Sequence, residues 1–297
     1  MTDNLDRLLA QRAPSVSGRA VVYTLLDVFT DKRFEGNQLA VVTDARAVQE
    51  QDMQRIASEL HLSETVFILA PERGGDVRIR IFTPGGELPF AGHPVLGTAI
   101  LVGAALGLQS VTLETPRGLV PVRLSEAAGT AFGWMQQPIP TWQPYARERE
   151  LLGALGVAGS LLPVEIYDNG PHHVYVALDS ESAVAELAPD LGALVRLGEV
   201  EANCFVGGGT RWKTRMFAPA LGVPEDPATG SAAGPLALHL ARHGRIEFGQ
   251  EIEIVQGVEI GRPSRLYAKV QGSVERIAAV EVGGAALTVG YGQLLLE

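Results

Sequence analysis

The chain reads as an α+β protein built from two pseudo-symmetric lobes, each wrapping a mixed or antiparallel, barrel-like sheet around one buried central helix. Three observations predict this. The first is an internal repeat: Arg80, Phe82, Pro84 and Pro89 recur as Arg215, Phe217, Pro219 and Pro224 at a constant offset (215−80, 217−82, 219−84 and 224−89 all give 135). The second is that both copies end an alternating stretch, Val77 to Phe82 and Trp212 to Phe217, in a Pro-rich turn, and alternation of apolar with polar residues marks a strand. The third is that each turn opens a segment of apolar and small residues, Pro94 to Leu106 and Ser231 to His243, the second followed by Gly244 as a C-terminal cap. A helix that is apolar on every side has to be buried.

The helix starts carry the chemistry. A helix N-terminus offers unpaired N–H groups and a partial positive charge to an anion, so two such ends facing one cleft would bind a carboxylate. Gly92, Gly97, Gly230 and Gly234 suit that arrangement, because without a side chain the backbone can come close to a ligand.

Composition narrows the function classes. With 297 residues, 46% hydrophobic and 20% charged, the chain has the makings of a soluble protein of two domains or two lobes. Its 24 basic and 34 acidic residues give a net charge of −10 without a Lys/Arg cluster, which makes nucleic acid or an anionic membrane a poor partner. The single cysteine, Cys204, excludes an internal disulfide and a Cys-rich metal site, and suits a reducing cytoplasm. It reads as a core residue. The N-terminus lacks a basic segment followed by an apolar one, and no apolar run reaches the roughly 18 residues that span a bilayer.

Along the chain, residues 1–19 read as an extension outside the fold and Val21 to Val28 as the first strand. Residues 20–137, joined by a last strand returning at about 285–297, form the first lobe, and 138–284 the second. In Phe34-Glu-Gly-Asn37 a Gly-Asn turn feeds a strand; a hairpin turn is the bland reading, an amide carried to the edge of a cleft the functional one. Met53, Ile56, Ala57 and Leu60 define one face of a packing helix. Ser63 and Glu64 then open the strand Thr65 to Leu69, and on residue pattern alone Glu64 faces solvent. Val111 to Leu124 reads as a hairpin, 148–157 as a short helix, and Pro163 to Leu178 as two strands around Asp168-Asn169-Gly170. Residues 251–292 read as successive short strands with Gly-rich turns.

No Gly-x-Gly-x-x-Gly, Gly-x4-Gly-Lys or Gly-x-Ser-x-Gly is present. His239 and His243 stand one helical turn apart, but with no adjacent Glu and no third ligand in view they read as packed or surface residues. His172 and His173 are neighbours in a strand and point to opposite faces. Asp226 and Ser231 can cap a helix, and His93 before Pro94 can be a turn residue. Together, two helix starts with one His, one Asp, one Ser and one Glu make a small polar site suited to proton transfer on a small carboxylic acid, with no cofactor motif and no metal set.

These residues are also similar to a known family, the phenazine biosynthesis PhzF proteins, which share the diaminopimelate epimerase-like fold. The resemblance is carried by Phe34-Glu-Gly-Asn, Leu62-Ser-Glu, Arg80-Ile-Phe-Thr-Pro, Glu87-Leu-Pro-Phe-Ala-Gly-His-Pro, Gln137-Pro-Ile-Pro-Thr-Trp, Asn169-Gly-Pro-His-His-Val, Arg215-Met-Phe, Glu225-Asp-Pro-Ala-Thr-Gly-Ser, His239-Leu-Ala-Arg-His-Gly and Gln256-Gly-Val-Glu-Ile-Gly-Arg-Pro-Ser. It implies isomerisation of trans-2,3-dihydro-3-hydroxyanthranilate without metal or organic cofactor, in a cytoplasmic homodimer whose lobes close on the ligand. It implies further that Glu64 moves a proton from C3 to C1 of the ring and that His93, Asp226 and Ser231 bind the substrate. Gly92, Gly230, Asn37 and Ser63 are the remaining candidates for the wall of the site. Gln38 stands where many members have Pro. A one-base isomerase of another small amino or hydroxy acid is the second reading, and a non-catalytic binder of aromatic amino acids the third. Two-thiol racemisation is excluded, because one cysteine cannot supply two.

Overall fold

In the computed structural model the described residues are 19–127 and 129–296. The extension expected over residues 1–19 therefore lies, but for Arg19, outside them. The chain divides into two compact units, Met1–Met135 with Gly283–Glu297, and Gln136–Val282. Both are mixtures of strands and a few helices, as the α+β reading anticipates.

In the first unit strand Asn37–Val42 runs antiparallel to Arg19–Val28 and parallel to Glu64–Leu69, the parallel step being made by helix Glu50–Leu60. Strand Glu64–Leu69 pairs antiparallel with Val77–Phe82, which in turn lies parallel to Ser110–Thr115 across helix Gly92–Leu106. The second unit repeats the scheme. Strand His172–Ala177 is parallel to Glu201–Gly208, that strand is antiparallel to Arg211–Ala218, and the latter is parallel to Ile252–Gln256 across helix Gly230–Arg242. The first strands of the two series start 135 residues apart (172−37), the offset of the sequence repeat. The two helix starts are 138 apart (230−92), so three extra residues enter the loop before the second helix.

Both central helices are buried. Helix Gly92–Leu106 is buried at every position from Gly92 to Gly103, and helix Gly230–Arg242 from Gly230 to Ala241. At Gly97 an added Cβ would stand 2.7 Å from Val28 Cγ2 and 2.8 Å from Leu39 Cδ2, so the absence of a side chain lets strands close on the helix. Helix Gly230–Arg242 ends as expected: Gly244 adopts φ 64°, its N–H donates to Ala241, and the Arg245 N–H donates to Leu240. These two bonds form a Schellman motif.

One stretch departs from expectation. Residues 277–296 form a single 20-residue strand, Ile277–Leu296, not short strands with Gly-rich turns. Its glycines make room for rings instead. A Cβ on Gly283 would lie 2.7 Å from Trp134, on Gly284 2.3 Å from Phe29 and on Gly292 2.1 Å from the Tyr23 ring. Among the described residues no helix is long and apolar enough to cross a membrane.

Candidate active site

In the first unit three predicted residues come together at the start of the buried helix. Gly92 and His93 form its first turn, where Pro94 costs nothing because its missing N–H would have had no helical partner. His93 Nε2 lies 3.2 Å from Glu64 Oε2, and Asn37 Nδ2 lies 3.3 Å from His93 Nδ1. Glu64 reaches this point as the first residue of its strand, in register with Leu39 on the strand that Asn37 opens. Asn37 is placed by Gly36, whose φ of 70° and whose position 2.4 Å (as an added Cβ) from the Val28 carbonyl admit no side chain. The hairpin reading holds, since Asn37 opens a strand antiparallel to Arg19–Val28 and faces Val28; the residue is also 1% exposed, with its amide against His93.

The solvent-facing reading of Glu64 is likewise corrected. Its side chain is 15% exposed, because the helix start that carries His93 covers the mouth of its strand. Burial pushes the His93 imidazole down to about 3, with only a backbone hydrogen bond to Gln38 opposing. His93 is therefore neutral at ordinary pH, and its contact with Glu64 joins a carboxyl group to an uncharged imidazole rather than making an ion pair. The approach is close but not aligned as a hydrogen bond. Ser63 sits half-buried in the bend just ahead of Glu64.

In the second unit Asp226, Gly230 and Ser231 are also buried at a helix start. Neither Asp226 nor Ser231 is the N-cap; that position is Thr229, whose side chain caps no helix N–H. The Thr229 hydroxyl instead donates to Asp226 Oδ2 at 2.6 Å. The carbonyls of the first turn are taken by side chains from elsewhere in the unit. Gln137 Nε2 donates to Gly230 O at 2.8 Å, Asn169 Nδ2 to Ser231 O at 2.9 Å, and the Tyr175 hydroxyl to Ala232 O at 2.7 Å. Pro235 explains the second of these, since it has no N–H to give Ser231 four residues back. Gln137 and Asn169 are not among the expected site residues; each is an amide beside a turn residue, Pro138 or Gly170, which is the one signal the sequence carries for them.

A second polar cluster keeps His239 and His243 as packed residues but overturns the premise that they stand without a third group. A third group does stand with them: Glu165, whose Oε2 lies 3.2 Å from His239 Nδ1 and 3.1 Å from His243 Nε2. The three could in spacing hold a cation, their ligand atoms lying within 4.8 Å. Arg242 Nη1, however, donates to the same Oε2 at 2.7 Å, and the Tyr167 hydroxyl donates to it at 3.0 Å. Burial would raise the Glu165 carboxyl, but hydrogen bonds from His239, Arg242, His243 and Tyr167 outweigh it and hold the group well below the usual carboxylate range. The cluster is thus an ion-paired knot anchoring the far end of the helix, with the Arg242 guanidinium stacked 4.3 Å over Trp142.

The chain belongs to the phenazine biosynthesis-like protein family, whose pattern matches residues 26–292. Its relatives include the trans-2,3-dihydro-3-hydroxyanthranilate isomerases of Pseudomonas fluorescens, 53% identical, and Pseudomonas aeruginosa, 52% identical. Each alignment spans 92% of this chain and 99% of the relative. Among solved structures, a phenazine biosynthesis protein of the PhzF family from Bacillus anthracis superposes with a TM-score of 0.83 at 26% identity, covering 94% of this chain and 100% of the other. The family and the fold class expected from the sequence are those found.

Proposed function

We propose that this chain is a trans-2,3-dihydro-3-hydroxyanthranilate isomerase in which Glu64 is the acid/base. The observation that carries the reading is the Glu64–His93–Asn37 group at a helix start, His93 and Asn37 buried and Glu64 half-buried, in a chain more than half identical over nearly its full length to proteins of that name. Glu64 takes the proton from C3 of the ring and returns it to C1, so no atom is gained or lost and the enol formed tautomerises to an aminoketone. A neutral imidazole has one donor and one acceptor, so His93 can orient a polar group of the substrate without placing a cation beside Glu64. Each buried helix start, at Gly92 in the first unit and at Gly230 and Ser231 in the second, offers N–H groups that suit an anion such as a carboxylate or an enolate. Asp226, Ser231 and Ser63 complete the proposed binding set. A cofactor-free reaction, a homodimer and a cytoplasmic location belong to the same reading, which the family resemblance and the single cysteine support.

The test is incubation with trans-2,3-dihydro-3-hydroxyanthranilate in deuterated water without added cofactor, followed by NMR. Wild type should consume the substrate and place deuterium at C1, and Glu64→Gln should be slower by about 10²- to 10⁴-fold, the usual worth of a general acid/base. A folded wild type that leaves the substrate untouched, or a fully active Glu64→Gln, would end this assignment.

A further inference from the structure

The Gln256-Gly257 pair, prominent in the sequence and without a role in the reaction as described, grips the turn that presents Asp226. Gln256 ends strand Ile252–Gln256 and is 2% exposed. Its Nε2 donates to Asp226 O at 2.8 Å and to Thr229 Oγ1 at 2.9 Å, while its Oε1 accepts from the Thr229 N–H at 3.2 Å. An amide NH2 can only donate, so the Thr229 hydroxyl accepts from Gln256 and spends its one proton on Asp226 Oδ2, 2.6 Å away. The polarity of the chain Gln256 to Thr229 to Asp226 is thereby fixed, and each bond strengthens the next. Gly257 closes the grip from the other side: it has φ 76°, and a Cβ there would stand 2.5 Å from the Pro227 carbonyl and 2.9 Å from Pro227 Cα.

We propose that Gln256 and Thr229 are positioning residues that act through Asp226, aiming its carboxylate at the substrate. This rests on the reading of Asp226 as a substrate-binding group, and the experiment separates the two. Turnover of trans-2,3-dihydro-3-hydroxyanthranilate is measured for Asp226→Asn, Thr229→Val, Thr229→Ser, Gln256→Met and the double variant Asp226→Asn/Thr229→Val, each checked for a cooperative thermal transition. Thr229→Val and Gln256→Met should lower kcat/KM by roughly 10- to 100-fold, the order expected for a lost charge-assisted hydrogen bond. Thr229→Ser, which keeps the hydroxyl, should stay within about threefold of wild type, and the double variant should be no slower than Asp226→Asn alone, because Thr229 then has nothing to aim. Full activity in Asp226→Asn would remove the role of Asp226 itself. Impaired Asp226→Asn with an unimpaired Thr229→Val, or with losses that multiply in the double variant, would overturn the positioning role while leaving that of Asp226. A Gln256→Met chain that does not fold leaves the decision to the Thr229 series.

Discussion

Arg80 and Arg215 hold the same pose in their respective units. Each guanidinium lies over the phenylalanine two residues on, 5.1 Å from the Phe82 ring and 5.0 Å from that of Phe217. Each also clasps a carboxylate through Nε and Nη2, Glu87 at 2.7 and 2.6 Å and Glu225 at 2.8 and 2.7 Å. The surroundings differ. The Arg80 side chain is 20% exposed, whereas that of Arg215 is 9% exposed and its Nη1 also donates to the carbonyls of Val184, Ala185 and Leu187.

The two equivalent arginines should therefore contribute unequally to stability. Arg215→Met strands the Glu225 carboxylate, 11% exposed, and three carbonyls and should cost about 3 kcal/mol, while Arg80→Met should cost about 1 kcal/mol or less. Urea unfolding of both variants measures this, and equal losses would contradict it.

His93 makes a pH prediction. Its folded value, about 3, lies below that of an unfolded histidine, so between those limits the unfolded chain binds the extra proton. The stabilisation is fully present above about pH 6.5 and is lost as pH falls toward 3, with a slope of up to about 1.4 kcal/mol per pH unit. His239, lowered by burial, tilts the curve the same way. Unfolding free energy measured from pH 4 to 7 should fall less steeply in His93→Gln than in wild type; parallel curves would show that folding leaves the proton affinity of His93 unchanged.

Cys204 is fully buried, and burial pushes its thiol up to about 12. A thiol rather than a thiolate, shut away from solvent, is a poor nucleophile. Native protein should react with a thiol reagent at the rate of global unfolding, which urea raises in step with the loss of structure. Prompt labelling of the folded chain would show that the strand Glu201–Gly208 opens locally.

What the sequence disclosed follows from the range of the interactions. The strand alternation, the two apolar helices and the helix face of Met53, Ile56, Ala57 and the partly buried Leu60 are local patterns, and all are found in the structure. The partners of single polar residues are not local. Glu64 looked solvated because His93 lies 29 positions on, and His239 and His243 looked isolated because Glu165 lies 74 positions back from the first of them. Glycine misled for a related reason: at Gly283, Gly284 and Gly292 it serves a ring from another strand, which a turn-based reading of glycine cannot register.

The first turn of helix Gly230–Arg242 supplies the last prediction. Pro235 deprives Ser231 O of its helical donor, and Asn169 Nδ2 takes the vacant place at 2.9 Å, both residues being buried. Asn169→Leu should then cost about 1–3 kcal/mol, the penalty for an unsatisfied buried carbonyl. In a Pro235→Ala background the backbone N–H is restored and can reach Ser231 O itself, so the same Asn169→Leu change should cost about 1 kcal/mol less. Chemical denaturation of the wild type, the two single variants and the double closes this cycle. Strictly additive costs would mean that Asn169 stabilises the unit by packing rather than by standing in for the hydrogen bond that Pro235 removes.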